Sequence, residues 1–252
     1  MRAFDELINE GAAADVSGWG FGWLAGRASE QRPPWGYSRL LAARLPQVAS
    51  ALDIDTGGGE VLAEVPHLPA RMTVTEGWPP NVERALSLLS PRGVEVVAVG
   101  PGSPLPFPAA TFELVASRHP VRPAWTEIAR VLADDGTYLA QHVGPGSAIE
   151  LSEWFLGPLP RDGGARDSRH ETAAAESAGL RIVDLRTARC RMEFYDIGAV
   201  VYILRKCVWW VPDFTVDRYR EPLRRLDAHL REHGVFRAHS TRTLIEARRR
   251  PR

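Results

Sequence analysis

The alternation of hydrophobic and polar positions divides the chain into three stretches. Over residues 1–45, glycines and tryptophans (Trp19, Trp23, Trp35) interrupt any regular period, which predicts short helices and loops around an aromatic cluster, with no clear strand. From Val48 onward, short apolar runs alternate with helical periods. Strands are predicted over 48–54, 71–76, 94–99, 112–117 and 137–143. Helices are predicted to open at Glu60, to run from Pro79 to about Ser90, and to span 126–132; Pro79 suits a first helical turn. Strands alternating with helices at this spacing imply right-handed crossovers and a parallel sheet. After Gly146 the regularity weakens. A polar, glycine-rich loop over 161–169 leads to a helix at 170–178 and a strand near 180–185. An apolar helical stretch follows over 195–206. A helix over 216–233 carries Tyr219, Leu223, Leu226 and Leu230 on one stripe, and a final strand spans 236–247.

Composition narrows the class. The 252 residues are 44% hydrophobic and 25% charged, enough for a full-sized globular core. Lys+Arg (31) balances Asp+Glu (31), which removes the broad electrostatic attraction behind non-specific nucleic-acid binding, so no nucleic-acid partner is expected. Lys206 is the single lysine. Two cysteines, Cys190 and Cys207, cannot build a disulfide framework or a four-cysteine zinc site, so a reducing compartment and no metal are expected. The first residues include early acids and no apolar core of a leader, and no apolar run reaches membrane-spanning length. These features predict a cytoplasmic protein, monomeric or homodimeric, without a membrane partner.

The informative segment is Leu52-Asp53-Ile54-Asp55-Thr56-Gly57-Gly58-Gly59-Glu60. A buried strand ends in a carboxylate, and three glycines then turn the chain toward a helix. Glycine permits positive φ and the close approach of a ligand, and a helix N-terminus offers free N–H groups. Glu76 falls at the predicted end of the next strand, where a carboxylate accepts hydrogen bonds from ribose hydroxyls. The dinucleotide spacing G-x-G-x-x-G fails because Leu62 occupies its third glycine position, and no P-loop pattern is present. An Asp ahead of the glycines suits a cofactor with a cationic amino-acid end better than a pyrophosphate.

Four segments over roughly 45–145 resemble the class I S-adenosylmethionine-dependent methyltransferases of the type 11 group. They are 52–59 as the glycine motif, Thr75-Glu76 as the ribose position, 105–108 followed by 111–115 entering the fourth strand, and 127–132 followed by 135–139 as the next helix and strand. The resemblance implies a doubly wound, mostly parallel seven-stranded α/β sheet with an antiparallel last strand, flanked by helical N- and C-terminal lid elements. It implies S-adenosylmethionine as cofactor, held by Asp53, Asp55, Thr56, Gly57, Gly59, Glu76, Gly77 and Ser117. Three positions depart from the family pattern. Asp55 replaces the first glycine, Pro101 stands where an adenine-contacting Asp is common, and Glu113 replaces an Asp.

Methyl transfer from a sulfonium is an in-line displacement in which the protein aligns the partners and excludes water, adding a base only where the acceptor must lose a proton. Ser117-Arg118-His119 follows the fourth strand. His119 is the candidate catalytic base, against the alternative that it caps or packs near Pro120. Arg118, His142, Trp19 and Tyr195 are candidate substrate contacts; of Gln141 and His142, alternation lets one face the site. Aromatic residues outside the sheet favour a closed small-molecule pocket. The expected domain layout is a helical, aromatic lid at 1–45 and a cofactor-binding domain at 46–252, with 194–234 as a helical insertion. The expected function is methyl transfer to an O or N atom of a small molecule. The alternatives are an RNA or protein methyltransferase and a non-catalytic cofactor-binding protein.

Overall fold

The computed structural model describes residues 2–18, 20–100, 102–160 and 166–250. By internal contacts it forms two units, one of residues 34–145, 164–188 and 242–252, the other of residues 1–33, 146–163 and 189–241.

The first unit carries the strands that the alternation predicts. They are β2 (Ser50–Ile54), β3 (Arg71–Glu76), β4 (Glu95–Ala98), β5 (Phe112–Arg118) and β6 (Leu132–Val143). The pairs β2–β3, β3–β4, β2–β5 and β5–β6 are all parallel. Successive residues point to opposite faces, and both faces are apolar. Ala51, Leu114, Leu139 and Leu244 join one core, while Leu52, Val115, Tyr138 and Ala247 join another. Helices cover both. α2 (Tyr37–Arg44), α3 (Glu60–Ala63) and α4 (Pro79–Leu89) bring Leu41, Leu62, Ala85 and Leu89 to the first core. α5 (Trp125–Val131) and α7 (Ser168–Ser177) bring Ile128, Val131 and Ala175 to the second. This is the doubly wound α/β arrangement.

β7 (Leu180–Phe194) and β8 (Phe236–Arg249) run through both units, and β8 pairs antiparallel with β6, from Thr137↔Arg248 to Val143↔Arg242. Among the described residues the sheet has eight strands rather than seven, counting a short β1 (Ala28–Glu30), in the order β1-β7-β8-β6-β5-β2-β3-β4. This β1 pairs antiparallel with the far end of β7. Three residues are too few to show an alternating pattern, so the N-terminal region reads as strandless in sequence. β7 itself continues nine residues past Leu185, because its second half has one face of arginines and a buried opposite face only at Cys190, Met192 and Phe194.

The second unit adds α1 (Phe4–Ala13), α6 (Ile149–Leu156), α8 (Ile197–Lys206) and α9 (Arg220–His233) around its own core of Leu7, Ile8, Leu151, Val200, Val201, Leu223 and Leu226. α1 and α8 approach closely: a Cβ on Gly11 would lie 2.5 Å from the Gly198 carbonyl oxygen. Asp196 caps α8 by accepting from the Ala199 N–H and is clamped by Arg27 at 2.7 and 2.8 Å. Lys206, the single lysine, donates to the carbonyls of Val16, Ser17 and Gly18.

Candidate functional site

The order of the parallel strands reverses between β2 and β5, and in open α/β sheets ligands bind outside the carboxyl ends of the strands at such a switch point. β2 delivers Asp53 there and runs into the glycine loop. β3 delivers Glu76, and β5 delivers Ser117 and Arg118, with His119 next in the chain.

Three loop positions take left-handed backbone: Asp55 at φ 55°, Gly57 at 67° and Gly59 at 83°. Asp55 thus reproduces, with a side chain, the conformation that glycine adopts freely, and Asp is among the residues that tolerate it. Gly59 has no substitute, since its φ is positive and an added Cβ would sit 2.7 Å from Leu89 Cδ1. The loop is tied to β3 through Thr56 N–H to the Thr75 carbonyl (3.0 Å) and Gly57 N–H to Glu76 Oε2 (2.8 Å). α3, expected to present a helix N-terminus, is a single turn of four residues, because Pro66 follows almost at once. The loop N–H groups and the carboxylates, rather than a helix end, define this edge.

Glu76 is buried, and its carboxylate accepts three backbone N–H groups: Gly57 on Oε2, Gly77 and Trp78 on Oε1, each at 2.8–2.9 Å. A carboxylate has about four acceptor positions, so roughly one is left for a ribose hydroxyl. Asp53 is 6% exposed. Burial pushes its pKa up to about 6; the Thr56 side-chain hydrogen bond opposes this, Asp55 reinforces it, and Arg118 opposes it more weakly. Ser117 Oγ is buried without a hydrogen-bond partner. A buried carboxylate with a raised pKa beside a pinned carboxylate with about one acceptor position left matches a ligand bearing an ammonium and a ribose.

Beyond β2 the site is made by side chains. Register places Asp53 opposite Ala116 and Arg118 opposite Gln141, all on the sheet face of Ala51, Leu114 and Leu139. On that face Trp35 donates its indole N–H to Gln141 Oε1 (2.8 Å), and Gln141 Nε2 lies 2.9 Å from His119 Nε2. The buried Tyr37 hydroxyl donates to the carbonyls of Ser117 (3.1 Å) and Leu139 (3.3 Å), tying α2 to the strand ends. His119 has φ 61°, a left-handed conformation unusual for a residue with a side chain, and its N–H donates to the Gln141 carbonyl (2.7 Å). Its pKa is pushed down to about 3, first by burial and then by the guanidinium charges of Arg118 and Arg242, with His142 adding a smaller effect.

The opposite face holds a separate polar set. His142, 2% exposed, pairs with the Tyr138 hydroxyl through Nε2 (3.1 Å) and with Glu171 through Nδ1 (2.8 Å). Both of its ring nitrogens are therefore engaged, and of the two neighbours on β6 it is Gln141 that shares a face with Asp53. Burial, reinforced by Glu171, raises the Tyr138 pKa, so its hydroxyl stays protonated.

The structure thus brings Asp53, Asp55, Thr56, Gly57, Gly59, Glu76, Gly77, Ser117, Arg118 and His119 to one edge of one unit. Tyr195 lies in the other unit, its hydroxyl hydrogen-bonded with Ser29 (2.9 Å) and Glu193 (3.2 Å). Trp19 and Pro101 fall outside the described residues. Glu113 has a structural duty, accepting from the Ala49 N–H (3.0 Å). Sequence reasoning missed Arg242, which reaches the site only through the β6–β8 register, and Glu171, whose partner lies 29 positions away.

Residues 52–140 match the family model described as a methyltransferase domain. No curated protein matches the sequence. Among solved structures the fold is shared with the YcgJ protein of Bacillus subtilis, at 17% identity over 86% of this chain and 99% of that one, TM-score 0.56. It is shared with geranyl diphosphate methyltransferase in complex with S-adenosylmethionine, at 12% identity over 84% of each chain, TM-score 0.51. The (4+2)-cyclase SpnF has it too, at 18% identity over 98% of this chain and 93% of that one, TM-score 0.52. A fold common to such different proteins leaves the choice of acceptor to the residues of the site. Among the described residues, no helix is long and apolar enough to cross a membrane. With the domain match and the topology in agreement, residues 52–140 are similar to a methyltransferase domain, on a fold shared with geranyl diphosphate methyltransferase.

Proposed function

We propose that the protein transfers the methyl group of S-adenosylmethionine to an oxygen or nitrogen of a small-molecule acceptor. The observation that carries this reading is the buried Asp53 carboxylate at the switch point, beside the glycine loop and on the same sheet face as Arg118 and Gln141. Asp53 would hold the ammonium of the cofactor and Glu76 a ribose hydroxyl, with Ser117 beside them at the end of β5. Asp55, Thr56, Gly57, Gly59 and Gly77 would form the backbone cradle. The cofactor supplies an electrophilic methyl on sulfur. The chain's own residues bind it, orient the acceptor along the line of displacement and keep water away, which accounts for the bulk of such a rate enhancement. The aromatic side chains of Trp35 and Tyr37, packed beside Gln141 and the ends of β5 and β6, support a compact acceptor over a polymer. The near-zero formal charge supports the same choice.

Labelled-methyl transfer from S-adenosylmethionine tests this with three acceptor pools: small phenols, amines and carboxylic acids; total RNA; and a peptide library. Label is expected in the small-molecule pool alone. Label in RNA or peptide, with none in small molecules, would overturn the choice of acceptor.

A further inference from the structure

The Asp55 side chain is at odds with its place in the glycine loop. Its φ of 55° is a conformation that glycine adopts freely and that a residue with a Cβ adopts at a cost. The turn is held against β3: the Asp55 N–H donates to Thr75 Oγ1 (3.4 Å), and the next two N–H groups bond the Thr75 carbonyl and Glu76. Those bonds come from the backbone. Among the described residues, no hydrogen bond or ion pair reaches the Asp55 carboxylate.

Its neighbours are carboxylates. The side chain is exposed, yet the surrounding loop still desolvates it and Glu76 repels it, and both push its pKa upward. Asp53 is raised first by its own burial, with the Thr56 side chain opposing, and next by the charge of Asp55, which outweighs the opposing effect of Arg118. Asp53 from β2, Asp55 from the loop and Glu76 from β3 thus share one negative field. Glu60 and Arg84, from α3 and α4, neutralise each other. A carboxylate that strains its backbone and is repelled by its neighbours burdens the free protein, and a cationic ligand at the same edge relieves that burden.

The cofactor proposed for this edge changes its charge in the reaction. S-adenosylmethionine carries a sulfonium and an ammonium against one carboxylate. When the methyl group leaves, the electron pair of the broken bond stays on sulfur, and S-adenosylhomocysteine is left without the sulfonium charge. We propose that Asp55 is a specificity-determining residue whose charge selects the cationic cofactor over its neutral product, so that S-adenosylhomocysteine is held weakly and competes little. The proposal rests on the reading of this edge as the S-adenosylmethionine site. Asp55 acts across space through its carboxylate, in addition to the backbone it lends to the cradle.

Isothermal titration of the full-length protein at pH 7.5 tests this with S-adenosylmethionine, S-adenosylhomocysteine and sinefungin, an analogue in which an amine keeps the positive charge of the sulfonium. Wild type is expected to bind the two cationic ligands about 10-fold or more tightly than S-adenosylhomocysteine, and the preference should shrink as salt is added. Asp55→Asn keeps the shape and the tolerance of positive φ but removes the charge. It should weaken both cationic ligands by about 5-fold and leave S-adenosylhomocysteine within about 2-fold, and Asp55→Gly should do the same. Without ligand, both variants should unfold at higher denaturant concentration than wild type, Asp55→Gly at the highest. An equal loss for all three ligands in Asp55→Asn, or a changed preference in Asp55→Gly alone, would show a role in loop shape and overturn the proposal. A lower unfolding midpoint in Asp55→Asn would reveal a partner for the carboxylate and overturn it too. Ligand binding with an unchanged preference in both variants sinks this proposal alone, whereas a folded wild type that binds none of the three ligands sinks the cofactor reading and the proposal with it.

Discussion

The two halves of the switch point are built on different principles. On the β2–β3 side, backbone does the positioning: left-handed turns at 55, 57 and 59 and three N–H groups converging on one carboxylate. On the β5–β6 side, the relay Trp35–Gln141–His119 is made of side chains drawn from a loop, a strand and a strand end. In the proposed function, the first half would hold the cofactor with two carboxylates, Glu76 positioned by backbone N–H groups, and the second would meet the acceptor through side chains that a single substitution can change.

Removing Glu76 strikes the backbone half hardest. Glu76→Ala leaves three N–H groups to find water in a partly buried loop, and stability should fall by about 2–3 kcal/mol in chemical denaturation. Asp53→Asn should act with the opposite sign on the fold. Because the folded pKa of Asp53 is raised, its ionised form penalises the native state; the penalty is absent below the unfolded pKa near 4 and grows as pH rises through about 6. Asp53→Asn should therefore stabilise the free protein by about 1–2 kcal/mol at pH 7.5 and flatten stability between pH 4 and 6. It should also weaken the cofactor by about 10-fold, an effect that wild type mimics as the pH falls below 6. An unchanged stability profile would mean that Asp53 is already compensated.

The side-chain half is tested by its strained histidine. His119→Gly should be more stable than His119→Ala by about 1 kcal/mol, because only glycine adopts φ 61° without cost, whereas both lose the contact to Gln141. Equal stabilities would show that the surroundings relax. The smallest effect is expected at the rim, where Glu60 pairs with Arg84 in an exposed contact of 3.0 Å. Glu60→Gln should change stability by less than about 0.5 kcal/mol.

The same division explains what could be read from sequence. β3 falls on its predicted residues, 71–76, because Met72 and Val74 alternate with Arg71, Thr73 and Thr75 and a Pro-led helix follows. Asp53 and Glu76 were legible because local order, strand then turn then strand, fixes their places. β1 was not, since three residues carry no period and its partner lies at Met192–Phe194, more than 160 positions away. Nor was the direction of Gln141, whose face is settled by the apolar neighbours Leu139 and Leu244 rather than by its own chemistry. The Trp35 contact spans 106 residues, and the buried His142–Glu171 pair joins a strand to a helix beyond the parallel core.

The central claim is that the carboxylate half of the switch point binds S-adenosylmethionine, and isothermal titration of the wild type and Glu76→Gln at pH 7.5 tests it most directly. Saturable binding to wild type, weakened about 10-fold or more in a folded Glu76→Gln protein, is the predicted result. A well-folded wild type that binds neither S-adenosylmethionine nor S-adenosylhomocysteine would contradict it.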